Sequence, residues 1–402
     1  MKHNNLKIMM VYLLAITFVI NSGCISEEGN NDEGNVPDQS EDALFPDVVS
    51  ATAGPLALNE IDYWAYVIQD VEENEDLLER SRYEMLVIEP TRTDFSEEYS
   101  RSYKTKELVT KLKASAGNNE FNRKLVIAYI DIGQAEDWRW YWKWSVDSDW
   151  DPLETSKPSD WPSWIITHDP EWVGCFPVAY WHEDWRNIVI DGGFTWDGND
   201  VEVPSGNEYG GEGYNSILDE VINDGFDGIY LDWVEAFSDE SVIEAAETAA
   251  IDPVEAMFDF IEEMREYGRT RFQEMGRDPD EWIIIQQNAP DLADSSDPRK
   301  FTVIDGIAEE GVWWEGTGDS GWDDPNGYDV SAKEELGADW YNDVLNNWLP
   351  AYRDAGIPVF ACEYALENAE DVYEDLAPDA GFVPYCTRRS LSKLTTTPPS
   401  FE

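Results

Sequence analysis

The sequence predicts a single (β/α)8 barrel, and three observations carry that expectation. Eight short apolar runs of strand character recur between residues 61 and 388. Stretches of helical periodicity separate most of them, and near-continuous apolar strands with helical crossovers mean a parallel sheet covered on both faces. No GxGxxG follows the first run and no GxxxxGK(S/T) occurs anywhere, so an open nucleotide-binding sheet would lack its phosphate cradle. Eight such units in a chain of this length favour the closed barrel.

The runs follow in order. IDYWAYVIQ (61–69) and YEMLVIEP (83–90) come first, then the helical KTKELVTKLKAS and the third run, KLVIAYIDIG (124–133). A Trp-rich stretch to about 185 and a Gly- and Asp-rich stretch at 191–214 read as loop insertions. The helical SILDEVINDG leads into the fourth run, 226–233, and one long helical pattern covers about 239–275. WIIIQQNA (282–289), VIDGIAEEGVWW (303–314), IPVFACEYA (357–365) and GFVPYCTR (381–388) complete the eight, with helical ADWYNDVLNNWLPAYRDAG between the sixth and seventh. The barrel domain is therefore expected over 51–390, with a disordered tail at 391–402.

Composition narrows the function. With 402 residues and 42% hydrophobic content, the chain can bury a large core. It has 27 basic against 85 acidic residues, a formal charge of -58, which argues against nucleic acid as a partner. The 19 Trp, 19 Tyr and 15 Phe require a packed domain rather than an acidic disordered chain. A solvated surface adapted to high salt, where screening relieves self-repulsion, accounts for the charge.

The N-terminus reads as an export signal. Lys2 and Lys7 precede the apolar IMMVYLLAITFVI, which is short for a membrane span, and NSGC at 21–24 resembles a lipoprotein processing site. Asn21 stands where that pattern prefers Leu. Residues 1–24 are thus expected to be a signal peptide that leaves a lipidated Cys24, and the acidic segment 25–50 a disordered linker. The expected location is extracellular, on the outer face of the cell membrane, with the lipid anchor as the membrane contact and the protein a monomer. Cys175, Cys362 and Cys386 permit one disulfide, with Cys362 and Cys386 as a candidate pair. With three histidines and no CxxC, a zinc site is not expected, and no cofactor is implied.

The polar residues that end the strands are the candidates for chemistry, because the C-terminal ends of barrel strands form the active face. The third run supplies Asp131, with Tyr129 before it and Glu136 and Arg139 after it; the fourth supplies Tyr230, Asp232 and Glu235. Gln286, Gln287 and Asn288 end the fifth, and Glu309, Glu310, Trp313 and Trp314 belong to the sixth. Glu363 lies on the seventh, and Arg388 and Arg389 end the eighth. A lone acid at a strand end caps the next helix as readily as it catalyses, which is the reading for Glu235. Alternation places Tyr230 and Asp232 on one face, and Gly306, Ala308 and Glu310 on another, which selects Glu310 over Glu309 as the inward acid. Two carboxyls across a cleft suit glycoside cleavage: Asp232 as nucleophile or base, Glu310 as acid. Trp138, Trp140, Trp142, Trp313 and Trp314 offer flat faces for sugar rings.

YIDIGQAEDWRWYW, DGFDGIYLDWVE, IIIQQNA and IDGIAEEGVWW, in this order, resemble extracellular glycoside hydrolases related to endo-α-1,4-polygalactosaminidase (glycoside hydrolase family 114) over about residues 60–390. The resemblance implies a TIM barrel that hydrolyses α-linked, galactosamine-containing polysaccharide. It also implies an Asp ending the fourth strand and a Glu on the sixth, here Asp232 and Glu310. Substrate contacts are expected from Asp131, Glu136, Tyr129, Tyr230, Gln287, Asn288, Trp313, Glu363 and Arg388. The stretches 143–176 and 191–214 look expanded against the family pattern. Two alternatives stand beside this reading: a carbohydrate-binding lipoprotein without turnover, and a divalent-cation-dependent hydrolase built from Asp131, Asp232, Glu310 and Glu363.

Overall fold

The computed structural model describes residues 47–90, 104–139, 141–142, 144, 157–170, 172–192, 215–316 and 329–395, and the backbone alone at 195–196 and 199–200. All belong to one compact unit, Phe45–Glu402. The expected signal peptide, Cys24 and Trp140 lie outside the described residues.

Eight parallel strands form one sheet in sequence order: β1 Trp64–Val67, β2 Met85–Ile88, β3 Leu125–Asp131, β4 Gly228–Asp232, β5 Ile283–Gln287, β6 Gly306–Glu310, β7 Val359–Glu363 and β8 Val383–Cys386. At the seam between first and last, the Trp64 indole N–H donates to the Val383 carbonyl at 3.0 Å. The architecture is the (β/α)8 barrel that the sequence predicts.

The register sorts the side chains. Trp64 pairs with Met85, Val87 with Ile127, Tyr129 with Tyr230, Tyr230 with Ile285, Ala308 with Gln287 and Cys362 with Tyr385. Because strand side chains alternate, these residues share the inner face. Aromatic rings fill that interior. Trp64 meets Phe360 at 5.4 Å and Tyr385 at 5.9 Å between centroids; one step higher, Tyr66 meets Tyr230 at 4.9 Å. The packed floor leaves the polar residues at the C-terminal ends as the lining of the mouth.

Helices α1 Val71–Arg80, α2 Thr105–Ala114, α3 Ile217–Asp224, α4 Glu240–Ala249 and α5 Pro253–Glu274 cover part of the outside. The long pattern expected over 239–275 is two helices. Ala250 takes a left-handed φ of 57°, and Asp252 caps the new helix with Pro253 in its first turn. At the N-terminal end of the barrel, Asp227 gathers Lys113 at 2.8 Å, Arg123 at 2.7 Å and Arg277 at 3.1 Å. Scarce cations thus serve one buried acid far along the chain axis from the mouth.

Three expectations are corrected. Residues 391–395, expected to be disordered, pack on the barrel: Leu391 and Leu394 are buried, and the Tyr83 hydroxyl donates to the Thr395 carbonyl at 2.8 Å. Val49 and Ser50, assigned to the linker, already bond to the fold, with Val49 accepting the Ala116 N–H at 2.7 Å and Ser50 bridging Ser115. Cys175, Cys362 and Cys386 are free and buried. Cys386 pairs in register with Glu363 and Cys362 with Tyr385, so the two thiols point to opposite faces of the sheet.

Candidate active site

The mouth is built on the inner positions that end β3 to β6. Asp131 and Asp232 are register partners, and Gln287, the inner residue ending β5, pairs with Ala308, one inner step below Glu310. Glu309 pairs with Ala361 on the outer face.

Asp232 is held by a hydrogen bond from the Tyr129 hydroxyl to Oδ2 and one from the Trp233 N–H to Oδ1 at 2.7 Å. Burial pushes its carboxyl up to about 7, the Tyr129 bond opposes that rise, and the nearby Glu310 charge adds to it. Glu310 Oε2 accepts the side-chain amides of Gln287 at 2.7 Å and Asn288 at 3.1 Å, and Oε1 accepts the Tyr364 hydroxyl. The Glu310 N–H donates in turn to Asn288 Oδ1 at 3.0 Å. Each carboxyl is thus fixed by a phenol and by an amide, and each belongs to a different strand.

The backbone beyond β4 and β5 is bent to make this possible. Trp233, Asn288 and Ala289 have φ of 56°, 52° and 52°, a region that non-glycine residues enter at a cost and that clusters at functional sites. Gly133 faces Trp233: a Cβ there would lie 2.5 Å from the indole ring and from the Trp233 carbonyl. A side chain at 133 would therefore push directly on the residue that follows Asp232.

Asp131 is buried and accepts the N–H groups of Gly133 at 3.0 Å and Gln134 at 2.8 Å, which turns the chain out of β3. Burial, then Asp232 and Glu136, hold its carboxyl well above the usual range. Glu136 instead binds Arg139, at 2.5 Å, and Arg139 also binds Glu89 at 2.6 Å. The sequence suggests Arg139 or Arg388 as an ion-pair partner of Asp131; both are paired elsewhere. Arg388 is buried between Asp329 at 3.0 Å and Glu367 at 2.8 Å.

The remaining candidates occupy varied places. Tyr230 lies under the mouth, fully buried, and its hydroxyl has no hydrogen-bond partner among the described residues. Gln287 Oε1 is likewise buried beside Glu310 without a partner among the described residues. Trp313 is buried against Phe382, with ring centroids 6.0 Å apart, and Trp142 is stacked on Phe176 at 4.8 Å, so both indoles pack inside the protein. Trp138 and Trp314 are only half-buried. Glu363 lies on the outer face, where Oε2 accepts the N–H groups of Trp313 at 3.0 Å and Trp314 at 2.8 Å. Burial pushes its carboxyl up to about 8. Its position shapes the loop after β6 and separates it from the other three carboxylates of the suggested cation site. Among the described residues, no group of three His, Cys, Asp or Glu is arranged to hold a metal ion.

Sequence reasoning missed Tyr364 and Glu89. Tyr364 is two residues past the inward Cys362, so alternation along ACEY could have found it. Glu89 likewise stands two past the inward Val87.

The fold and the mouth define a (β/α)8-barrel protein with two carboxylates, Asp232 and Glu310, at the C-terminal ends of its inner strand faces. No family model matches the chain. An uncharacterised protein of Methanocaldococcus jannaschii, MJ1477, is 28% identical over 348 residues, which is 83% of this chain and 78% of that protein. An uncharacterised Thermotoga maritima protein is 30% identical over 258 residues, 63% of this chain and 60% of that relative's length. Among solved structures, Aspergillus fumigatus Ega3 in complex with galactosamine is 14% identical, with 85% of this chain and 96% of that chain covered and a TM-score of 0.47. Bacillus licheniformis trehalose-6-phosphate hydrolase is 8% identical, with 84% and 65% covered and a TM-score of 0.41. Scores this low add nothing to the barrel that the strand register defines.

Proposed function

We propose that the protein is an endo-acting glycoside hydrolase that cleaves α-linked, galactosamine-containing polysaccharide outside the cell. The observation that carries this reading is the pair Asp232 and Glu310, both on the inner face of the mouth and each fixed by a tyrosine. Their charges act on each other, so the pair favours holding one proton over none, which is what glycoside cleavage asks of two carboxyls. Either Asp232 attacks the anomeric carbon as Glu310 protonates the leaving oxygen, and Glu310 then takes a proton from the water that cleaves the glycosyl–Asp232 bond, or Asp232 takes a proton from the attacking water as Glu310 protonates the leaving oxygen, and exchange with solvent restores both groups. The hydrogen bonds around Glu310 favour a second assignment. Two amides on Oε2 and a phenol on Oε1 suit an anion, and Asp232 would then be the acid.

An amino sugar suits the charge of the cleft. Arg139, Arg388 and Arg389 are each already matched by carboxylates, leaving Asp131, Asp232 and Glu310 to face an ammonium group. Export and anchoring through lipidated Cys24, with the protein acting as a monomer, belong to the same proposal and rest on the N-terminal sequence. No helix among the described residues is long and apolar enough to cross a membrane.

The test is reducing-end release by the purified protein in high salt from a panel of α- and β-linked glycans that includes α-1,4-linked galactosamine polymer. Asp232→Asn and Glu310→Gln are each expected to abolish release with the melting temperature retained. Full activity in either variant removes that residue from the mechanism. Binding without release in the unmodified protein supports the binding lipoprotein instead, and loss of release on chelation supports the cation-dependent hydrolase.

A further inference from the structure

Arg389 stands four residues past Tyr385, the inward residue of β8 that pairs with Cys362. Its guanidinium carbon lies 4.9 Å from the centroid of the Tyr364 ring, and its Nη1 donates to Glu315 Oε2 at 3.2 Å. The Tyr364 hydroxyl in turn donates to Glu310 Oε1. One chain of contacts, Glu315 to Arg389 to Tyr364 to Glu310, thus starts and finishes on β6 and the loop that leaves it. The backbone fixes it at both ends. The Glu315 N–H donates to the Val330 carbonyl at 2.8 Å, and its carboxyl folds back over Gly311, where a Cβ would lie 2.2 Å from Oε1. Gly311 has a φ of 62°, which lets the chain turn directly after Glu310. The Tyr364 N–H donates to the Trp314 carbonyl at 3.1 Å. Tyr364 and Glu315 are buried and Arg389 is half-buried.

The charges around Glu310 give this arrangement a use. The carboxyls of Asp232, Glu235, Glu309 and Glu315, the phenols of Tyr66 and Tyr230 and the Cys362 thiol all act on it, and each of these is either neutral or negative. Arg389 sets a positive charge against them, over the face of the very phenol that donates to Glu310. A cation on that face is attracted to the ring and polarises the O–H into a stronger donor.

We propose that Arg389 is a positioning residue for Glu310: clamped by Glu315, it holds the Tyr364 hydroxyl on that carboxyl and stabilises its ionised form. The kinetic test of this rests on the hydrolase reading; the coupling between Arg389 and Glu310 does not.

Two measurements test it. The first needs no substrate: urea unfolding at about pH 8 of the unmodified protein, Arg389→Met, Glu310→Gln and the double variant. Methionine keeps an apolar stem on the ring and removes the charge. It should lower the folding constant about threefold to tenfold more in the unmodified protein than in the Glu310→Gln background. Equal losses overturn the proposal. The cycle is repeated on Glu315→Gln, whose amide oxygen still accepts from Arg389 and which leaves no buried carboxyl unmatched when Arg389 is replaced. The excess loss should persist there; its disappearance assigns the coupling to Glu315 and overturns the proposal. The second measurement is the pH profile of kcat/KM for reducing-end release from α-1,4-linked galactosamine polymer. Arg389→Met should move the limb that Glu310 governs up by about one pH unit: the alkaline limb if Glu310 is the acid, the acid limb if it is the anion. Arg389→Lys should bring that limb back, and Arg389→Met added to Tyr364→Phe should move it no further than Tyr364→Phe alone. Unmoved limbs, or a full further shift on Tyr364→Phe, overturn the route through Tyr364. If the unmodified protein releases nothing from this polymer, the hydrolase reading fails at that substrate, and the unfolding cycles still decide whether Arg389 supports Glu310.

Discussion

Tyr129→Phe isolates a single hydrogen bond at the proposed nucleophile. The Tyr129 hydroxyl donates to Asp232 Oδ2, and the ring packs beside Tyr66 at 6.2 Å, so phenylalanine keeps the packing and deletes the donor. The carboxyl of Asp232 stands at about 7 with that bond in place. A hydrogen bond to an ionised group contributes about 1.5–3 kcal/mol, and one pH unit corresponds to about 1.4 kcal/mol, so its loss raises the carboxyl by about 1–2 pH units. At pH 7 the ionised fraction then falls from about a half to about 1–10%. If Asp232 must be ionised to react, kcat/KM at pH 7 falls about 5–50-fold and recovers above about pH 9. The assay is kcat/KM for reducing-end release between pH 5 and 10, with far-UV and near-UV circular dichroism as a folding control. A variant that gains activity at pH 7, or whose acid limb does not move, refutes Asp232 as the ionised partner and transfers that role to Glu310.

Two further outcomes follow from the scaffold. Glu363→Gln keeps an acceptor for the Trp313 and Trp314 N–H groups and removes a carboxyl whose folded value, about 8, lies above the ordinary one. The cost of that buried acid is absent below about pH 4, grows as pH rises and is level above pH 8. Urea unfolding should therefore show the variant more stable by about 3 kcal/mol at pH 7 and by nothing at pH 4; equal gains at both would sink the argument. Gly133→Ala forces a methyl group to within 2.5 Å of Trp233. A loss of about 1–3 kcal/mol and a lower kcat are expected, and an unchanged melting temperature with full turnover would show that Trp233 does not transmit the strain.

Much of this protein is written in local pattern. The eight apolar runs and the alternation within GIYLD and GIAEE follow from the two-residue period of a strand, and they place Asp232 and Glu310 at inner strand ends without any knowledge of neighbours. The break at Asp252-Pro253 was legible too, as a cap followed by a proline, although the apolar periodicity on either side hides it. Partnership was not legible. That Arg139 belongs to Glu89 and Glu136, that Arg388 belongs to Asp329 and Glu367, and that Tyr364 bonds Glu310 depend on contacts between residues 21 to 59 positions apart in most cases. Glu235, by contrast, reads as a helix-start charge in sequence and stands in the first turn of the 3-10 helix Val234–Ser238. Strand periodicity is a property of consecutive residues, so the sequence by itself determines which face a carboxyl occupies. Its charge state depends on burial and on which groups the closed barrel brings beside it, and those are decided by the tertiary structure.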